Sequence, residues 1–316
     1  MTSKNILITG GGGFIGSFLT EAFYKDNRIT LFDNGRRNSF QFLPESIKEK
    51  VSFIKGDIRD AEGVKKVVKD KDIIIHLAAI AGASFYEKDP LLTLDVNLFG
   101  TANLLKVLAG KKIERIITFS TSEVYGSFAI DVSEDDSTCI GPVSEGRWSY
   151  AVSKVASDHL ARAYFKKYEL PINMVRPFNI YGPRQVGEGS ISNMLTSAIK
   201  TGKIFVTGDG LQKRAWCYIS DMARAVELIL KRKVYGECFN IGNPKAYVTI
   251  LELAKKIQAF VKGSEIIFIE GRKVEVLDRK PNIEKANRFL GFVPEVELDE
   301  GLKLTFEWWK KNISKF

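Results

Sequence analysis

Apolar residues in the first half of the chain fall into short β-branched runs separated by stretches of helical periodicity. The runs at 5–9, 28–33, 51–55, 72–76 and 113–120 predict buried strands. Between several of them, 14–25, 61–68 and 91–109 repeat their apolar residues at helix-face spacing. That alternation predicts a parallel, doubly wound α/β sheet. A long helix follows over about 149–168, stopped by Pro171, and a sixth strand at 172–176 leads into Pro177-Phe-Asn-Ile-Tyr-Gly-Pro183. From about residue 180 the elements shorten and Gly and Pro become frequent, as in Gly187-Glu-Gly189, Gly208-Asp-Gly210 and Gly242-Asn-Pro244. The expected division is a first domain over 1–179, with elements returning around 215–245, and a smaller region over 180–316 laid over the sheet.

A chain of 316 residues can bury a large core. Its formal charge of +9 comes from 47 basic and 38 acidic residues. The basic residues are spread along the chain with no stripe interleaved with aromatics, so no nucleic-acid partner is expected. Cys139, Cys217 and Cys238 are widely spaced and suggest neither a disulfide framework nor a metal site. With only His76 and His159 to supply imidazole, no metal is expected. The first apolar run is short and leads into glycines, so no signal peptide is expected. The apolar stretch at 73–85 is too short to span a bilayer, and a soluble, cytoplasmic protein without membrane contact is the expectation.

Two motifs carry chemistry. Thr9-Gly10-Gly-Gly-Gly13-Phe-Ile-Gly16 sets glycines three apart between the first strand and first helix. Such glycines give a tight turn, close backbone approach to a pyrophosphate and close helix packing, with the helix N-terminus facing the phosphates. Asp33 ends the second strand about twenty residues on, where a carboxylate takes ribose hydroxyls and repels a 2′-phosphate. This favours NAD over NADP, tempered by Arg36 and Arg37 nearby. The second motif is Tyr150 with Lys154, one helical turn apart in Trp148-Ser-Tyr-Ala-Val-Ser-Lys154. An ammonium beside a phenol favours the phenolate; a tyrosine base near neutrality needs a shift of roughly three units from about 10.

With these two motifs together, the chain resembles the extended short-chain dehydrogenase/reductase family that processes nucleotide sugars, over nearly its whole length. The resemblance implies a Rossmann sheet with a smaller C-terminal substrate-binding region. It implies NAD contacts from Gly10, Gly13, Phe14, Ile15, Gly16, Asp33, Asn34, Tyr150 and Lys154. Gly56-Asp-Ile-Arg-Asp60 resembles the adenine-contacting segment, implying Asp57 and Ile58, and His76-Leu-Ala-Ala79 resembles the fourth strand end, implying Leu77, Ala78 and Ala79. Asn97 matches an asparagine that stabilises the sheet and catalytic helix, and is counted with the cofactor residues. Ser120-Thr-Ser-Glu-Val-Tyr-Gly126 resembles the catalytic strand end. The implied chemistry is oxidation at a sugar C4 hydroxyl. Tyr150 takes the proton, Lys154 lowers its pKa and binds the nicotinamide ribose, Thr121 bonds the C4 oxygen, and hydride passes to NAD.

Thr121-Ser122-Glu123 bears on the fate of the oxidised sugar. The 4,6-dehydratases of the family carry Thr-Asp-Glu, with the Asp protonating the leaving 6-hydroxyl; a serine is a poor acid for that step. The Thr-Ser-Glu form resembles UDP-glucuronate decarboxylases, as do Arg147-Trp before Tyr150 and Arg279-Lys-Pro-Asn-Ile283. Thr121, Ser122, Glu123, Tyr150 and Lys154 are thus the candidate catalytic residues. A UDP-glucuronate or UDP-hexose 4-epimerase, a 4,6-dehydratase and a non-catalytic NAD-binding scaffold remain alternatives. For a UDP-sugar substrate the resemblance points to Asn179, Arg214 and Arg279, with Asn193, Phe205 and Tyr218 in segments facing base and sugar. Arg184 is a candidate for a uronate carboxylate. It also implies a homodimer through helices near 91–109 and 150–168.

Overall fold

A computed structural model describes residues 3–271 and 275–316. The chain lays down β1 (Asn5–Thr9), β2 (Arg28–Asp33), β3 (Ser52–Lys55), β4 (Ile73–His76) and β5 (Arg115–Phe119). Next, β6 (Phe128–Val132) leaves for another sheet, and β7 (Ile172–Pro177) returns. With the strand Cys238–Ile241 they form one seven-stranded sheet in the order Cys238–Ile241, β7, β5, β4, β1, β2, β3. Every neighbouring pair in it is parallel. Strand order reverses between β1 and β4, which opens a crevice beyond their carboxyl ends.

Alternation of side chains along each strand splits the core in two. Ile6, Ile8, Leu31, Ile75 and Ile117 pack with Leu19, Met222 and Val226 on one face. Leu7, Phe32, Ile74 and Ile116 pack with Val64, Leu104, Leu108 and Ala161 on the other. Both faces are covered by helices, so the central strands carry continuous apolar runs.

Two expectations need correction. Strand β3 is exposed at all four positions, because it forms the edge of the sheet. The helix expected at 91–109 is three joined pieces: Pro90–Leu94, a π-turn at Asp95–Phe99, and Gly100–Leu108. The whole run, Pro90–Leu108, has 19 residues and mean hydropathy 1.3, enough in length and composition to cross a membrane. The stretch at 73–85, expected to be the longest apolar one and too short to span, is thus not the segment that reaches that length. Here Leu104, Leu105 and Leu108 of the run pack in the core.

The helix Trp148–Tyr168 buries Ala151, Ser153, Ser157 and Ala161, small residues that let it lie close against its neighbours. It ends at Glu169, which takes a left-handed φ of 53° before Pro171. A second sheet stands over the crevice, ordered Tyr247–Thr249, Lys213–Ala215, Asp278–Pro281, β6. One of its strands thus comes from residues 128–132, before the expected boundary at 179.

Candidate active site

A cleft of about 420 Å³ runs along the carboxyl ends of the central strands. Its floor is the glycine loop. Gly10 has φ +69°, and a Cβ there would lie 2.5 Å from the Ala78 amide nitrogen, so strand ends β1 and β4 approach only because it is glycine. A Cβ on Gly16 would lie 2.5 Å from the Gly11 carbonyl, which fixes how closely the helix Phe14–Phe23 meets the loop. No side chain caps that helix at Gly13. Its first N–H groups are therefore free to face an anion.

Asp33 ends β2 with both carboxylate oxygens anchored: Oδ2 accepts from Gly12 N at 3.0 Å and Oδ1 from Gly35 N at 2.7 Å. Burial raises its pKa, and those two amides oppose the rise. The same cleft is lined by Gly10, Gly13, Phe14, Ile15, Gly16, Asn34, Asp57, Ile58, Leu77, Ala78, Ala79, Tyr150 and Lys154. Asp57 is fixed by Arg59 at 2.7 Å, which holds its carboxyl below the usual range.

Asn97 lies outside the residues that line this cleft. It is wholly buried; Oδ1 accepts from Ile80 N at 2.7 Å, and Nδ2 donates to Ile80 O at 3.0 Å and to Ser153 Oγ at 3.2 Å. It ties the loop after β4 to the catalytic helix.

Tyr150 meets Thr121 through a side-chain hydrogen bond and stacks on Tyr86, ring centroids 5.2 Å apart. Burial pushes the phenol up to about 12; the Thr121 bond, Arg37 and Arg279 pull it down, while Glu123 pushes it up. Lys154 donates from Nζ to Phe119 O at 2.7 Å, and burial brings its pKa down to about 8. Sequence spacing assigned the tuning of the phenol to Lys154. Arg37 and Arg279 are the cations that most lower it here, while Lys154 Nζ is held at the strand end by the Phe119 carbonyl.

Thr121 caps the turn Ser122–Tyr125, its Oγ1 accepting from Glu123 N at 3.2 Å. Ser122 is buried beside it. Glu123 Oε1 accepts from Arg279 Nη1 at 2.6 Å and Oε2 from Arg147 Nη2 at 3.2 Å. Burial favours the protonated acid, yet Arg279, Arg147 and Arg214 outweigh it and hold the carboxyl low.

Arg214 and Arg279 are register partners on adjacent strands of the second sheet. Paired like charges are unfavourable without an anion between or beside them. Asn179, at φ +41°, donates from Nδ2 to Ala215 O at 3.0 Å. Asn193 is exposed on the helix Ser190–Thr201, and Phe205 is 40% exposed on the strand Lys203–Thr207. Two of the substrate candidates make contacts within the protein. Arg184 lies 3.8 Å over the Phe18 ring and bonds Glu21 at 2.6 Å, so its charge is engaged on the first helix. Tyr218 is buried edge-on against Tyr181, centroids 5.5 Å apart, as part of the core.

Beyond Arg36 and Arg37, the sequence reading missed the residues that border the cleft from the loops. Arg37 donates to Ala81 O at 2.6 Å and lies 3.6 Å from Glu188, which also meets Ser84. Positively charged Arg36 and Arg37 both sit over Phe85. Nothing local in the sequence marked Ser84, Phe85 or Glu188 as meeting there.

The glycine loop, the uncapped helix end and the acidic end of β2 fit a dinucleotide, and the tyrosine–threonine pair lies beside it. They define a dinucleotide-dependent oxidoreductase of the doubly wound class. Residues 6–242 match the NAD dependent epimerase/dehydratase family, and the chain belongs to it. It is an NAD-dependent enzyme of that family. Among relatives, the chain is 35% identical to a UDP-N-acetyl-alpha-D-glucosaminuronate decarboxylase of Bacillus cytotoxicus, over 98% of both chains. It is 32% identical to UDP-glucuronic acid decarboxylase 1 of Xenopus tropicalis, over 98% of this chain and 73% of that one. A solved UDP-glucuronic acid 4-epimerase from Bacillus cereus, in complex with UDP-glucuronic acid and NAD, superposes with TM-score 0.88 at 29% identity, covering 97% of this chain and 99% of that one.

Proposed function

We propose that the chain decarboxylates a UDP-linked uronic acid after oxidising its C4 hydroxyl, forming a UDP-4-keto-pentose or, after reduction of that ketone, a UDP-pentose such as UDP-xylose. The observation that carries this reading is Glu123 between Arg279 and Arg147, two residues from Thr121, with serine rather than an acid at 122. Relatives at 35% and 32% identity are uronate decarboxylases.

Bound NAD supplies the two-electron oxidation of C4. Tyr150, as phenolate, accepts the C4 hydroxyl proton, and Thr121 orients the oxygen. The product is a β-keto acid. Its C5–C6 bond breaks, the electron pair moves onto C5 and the C4 oxygen as an enolate, and carbon dioxide leaves. Thr121 and the protonated Tyr150 donate hydrogen bonds to that oxygen. C5 then takes a proton, for which Arg279 is the nearby donor group. The diphosphate is assigned to Arg214 with Asn179, and the base and sugar side to Asn193 and Phe205. Residues 1–179 supply most of the NAD site and 180–316 most of the sugar side.

A 4-epimerase is the second reading, favoured by the superposition on the Bacillus cereus enzyme. The test is incubation with NAD and UDP-glucuronate, or UDP-N-acetylglucosaminuronate, followed by NMR. Carbon dioxide with a UDP-pentose or UDP-4-keto-pentose supports decarboxylation. UDP-galacturonate identifies an epimerase, and retained NAD without turnover identifies a scaffold.

We also place a homodimer contact on the helices Pro90–Leu94 and Trp148–Tyr168, supported by exposed Leu91, Val152 and Tyr168 on them. A cytoplasmic location suits the three free thiols.

A further inference from the structure

Arg147 stands at the entrance to the catalytic helix with only 6% of its side chain exposed. Nη2 reaches Glu123, but Nη1 lies 3.9 Å from Glu87, beyond hydrogen-bond distance. Nε and Nη1 have no acceptor among the described residues. Arg279, 2% exposed, likewise leaves Nε without one. Two buried guanidiniums therefore share one carboxylate. Buried donors of this kind are almost always satisfied, and leaving them bare is costly. Arg214, beside Arg279 across the strand pair, adds a third positive charge to the same place. Glu275 meets Arg214 at 3.4 Å, so what is left over is hydrogen-bond donors: Nε and Nη1 of Arg147 and Nε of Arg279.

The position fits one chemistry. Arg147 and Arg279 converge on Glu123, two residues past Thr121, whose hydroxyl bonds Tyr150. A uronic acid with O4 at Thr121 and Tyr150 carries its carboxylate on the adjacent ring carbon. Arg184, the other arginine considered for this task, is occupied by Glu21. We infer that Arg147 is a specificity-determining residue that receives the substrate carboxylate on an unpartnered donor, Nε or Nη1. Either one offers a charge-assisted hydrogen bond that no protein group takes up. The inference rests on the proposed uronate substrate, and not on its fate, since decarboxylation and epimerisation present the same group. Glu123, held by Nη2, keeps Arg147 in place and repels the incoming carboxylate, so recognition stays weaker than a free ion pair would give.

Calorimetry on NAD-loaded enzyme tests this with UDP-glucuronate against UDP-glucose, which differ only in the group on C5. Wild type is expected to prefer UDP-glucuronate. Arg147→Gln is expected to lose UDP-glucuronate affinity by about 10- to 100-fold, the range of a charge-assisted hydrogen bond, with UDP-glucose affinity within about twofold. Arg147→Lys recovers part of the preference. If Arg147→Gln does not fold, the preference ratio is read in Arg147→Lys, where it should fall by about fivefold. Equal loss for both ligands, an unchanged ratio, or no preference in wild type overturns the inference. Selective binding without any turnover of UDP-glucuronate would instead refute the proposed reaction and leave Arg147's role standing.

Discussion

Lys154, one turn along the helix from Tyr150, donates to the carbonyl of Phe119, the last residue of β5, at 2.7 Å. The next residue of the chain, Ser120, donates to Asp158 Oδ2 at 2.9 Å, one turn further along the same helix. Arg176 from β7 bonds the same oxygen at 3.1 Å. Successive residues at a strand end thus grip successive turns of the helix. That grip sets Thr121, which follows Ser120 and caps the turn Ser122–Tyr125, against Tyr150.

Tyr150→Phe removes the proton acceptor and leaves this grip intact. Turnover is expected to fall about 10³-fold, within the range for general acid–base groups. NAD and nucleotide-sugar affinities should stay within a few-fold, measured by fluorescence titration and calorimetry. Unchanged turnover would remove Tyr150 from the chemistry.

His76 makes a pH-dependent contribution to stability. It is buried, Nδ1 at 2.7 Å from Thr9 Oγ1 and Nε2 at 2.9 Å from Thr101 Oγ1. Burial, helped by Lys154, pushes its pKa down to about 3. An unfolded histidine titrates near 6.5. Between those values the unfolded chain holds the extra proton, so this stability is complete above about pH 6.5 and drains away as pH falls towards 3. From pH 7 to pH 5 the loss from this group is about 2 kcal/mol. Urea unfolding of wild type and His76→Gln at both values checks it: the variant, whatever its baseline, should lose about 2 kcal/mol less. Equal pH increments in the two proteins would contradict a neutral, buried imidazole.

Glu123 neutralises two buried cations, so Glu123→Gln should cost more than a surface change. Its side chain is 18% exposed against 6% for Arg147 and 2% for Arg279. Removing one partner of a buried ion pair strands the other; about 2 to 3 kcal/mol is expected in chemical unfolding, below the fully buried range because Glu123 retains some solvent. The same change should lower the Tyr150 pKa, since Glu123 pushes it up. Alkaline absorbance titration, with Tyr150→Phe as the blank, reads that direction.

The parallel sheet was legible because its central strands are buried on both faces and so are apolar at every position, as in Ile6-Leu7-Ile8 and Ile73-Ile74-Ile75. Strand β3 broke the rule at the edge, where Phe53 and Ile54 are apolar yet exposed. The glycine loop and Tyr150 with Lys154 were legible because their spacing is local. Arg279 and Glu123 are 156 residues apart, and no local pattern announces that they meet. Arg184 shows the converse: next to a recognisable motif, its side chain is claimed by Glu21 from 163 residues away. Local spacing names the chemistry of an element; long-range pairing decides whether a charge is still available to a ligand.

Glu188 gives the last test, because it bridges segments the sequence left unconnected. It lies between Gly187, at φ +93°, and Gly189, at φ +141°, values that a side chain at either position would resist. From there it meets Ser84 and sits 3.6 Å from Arg37, so three loops close over the NAD cleft that Arg37 and Glu188 line. Its side chain is 17% exposed and Arg37's is 30%, a partly screened pair worth about 1 kcal/mol. A contact of that size present only when the loops are closed should set cofactor release rather than chemistry. Glu188→Gln is expected to speed NAD dissociation about fivefold, read by stopped-flow fluorescence with a chase, while the association rate changes little. Arg37→Met should do the same, and the double variant should be no faster than either single one. Additive rates would mean that the two side chains act on the cofactor separately, and the bridge between them does not hold the cleft shut.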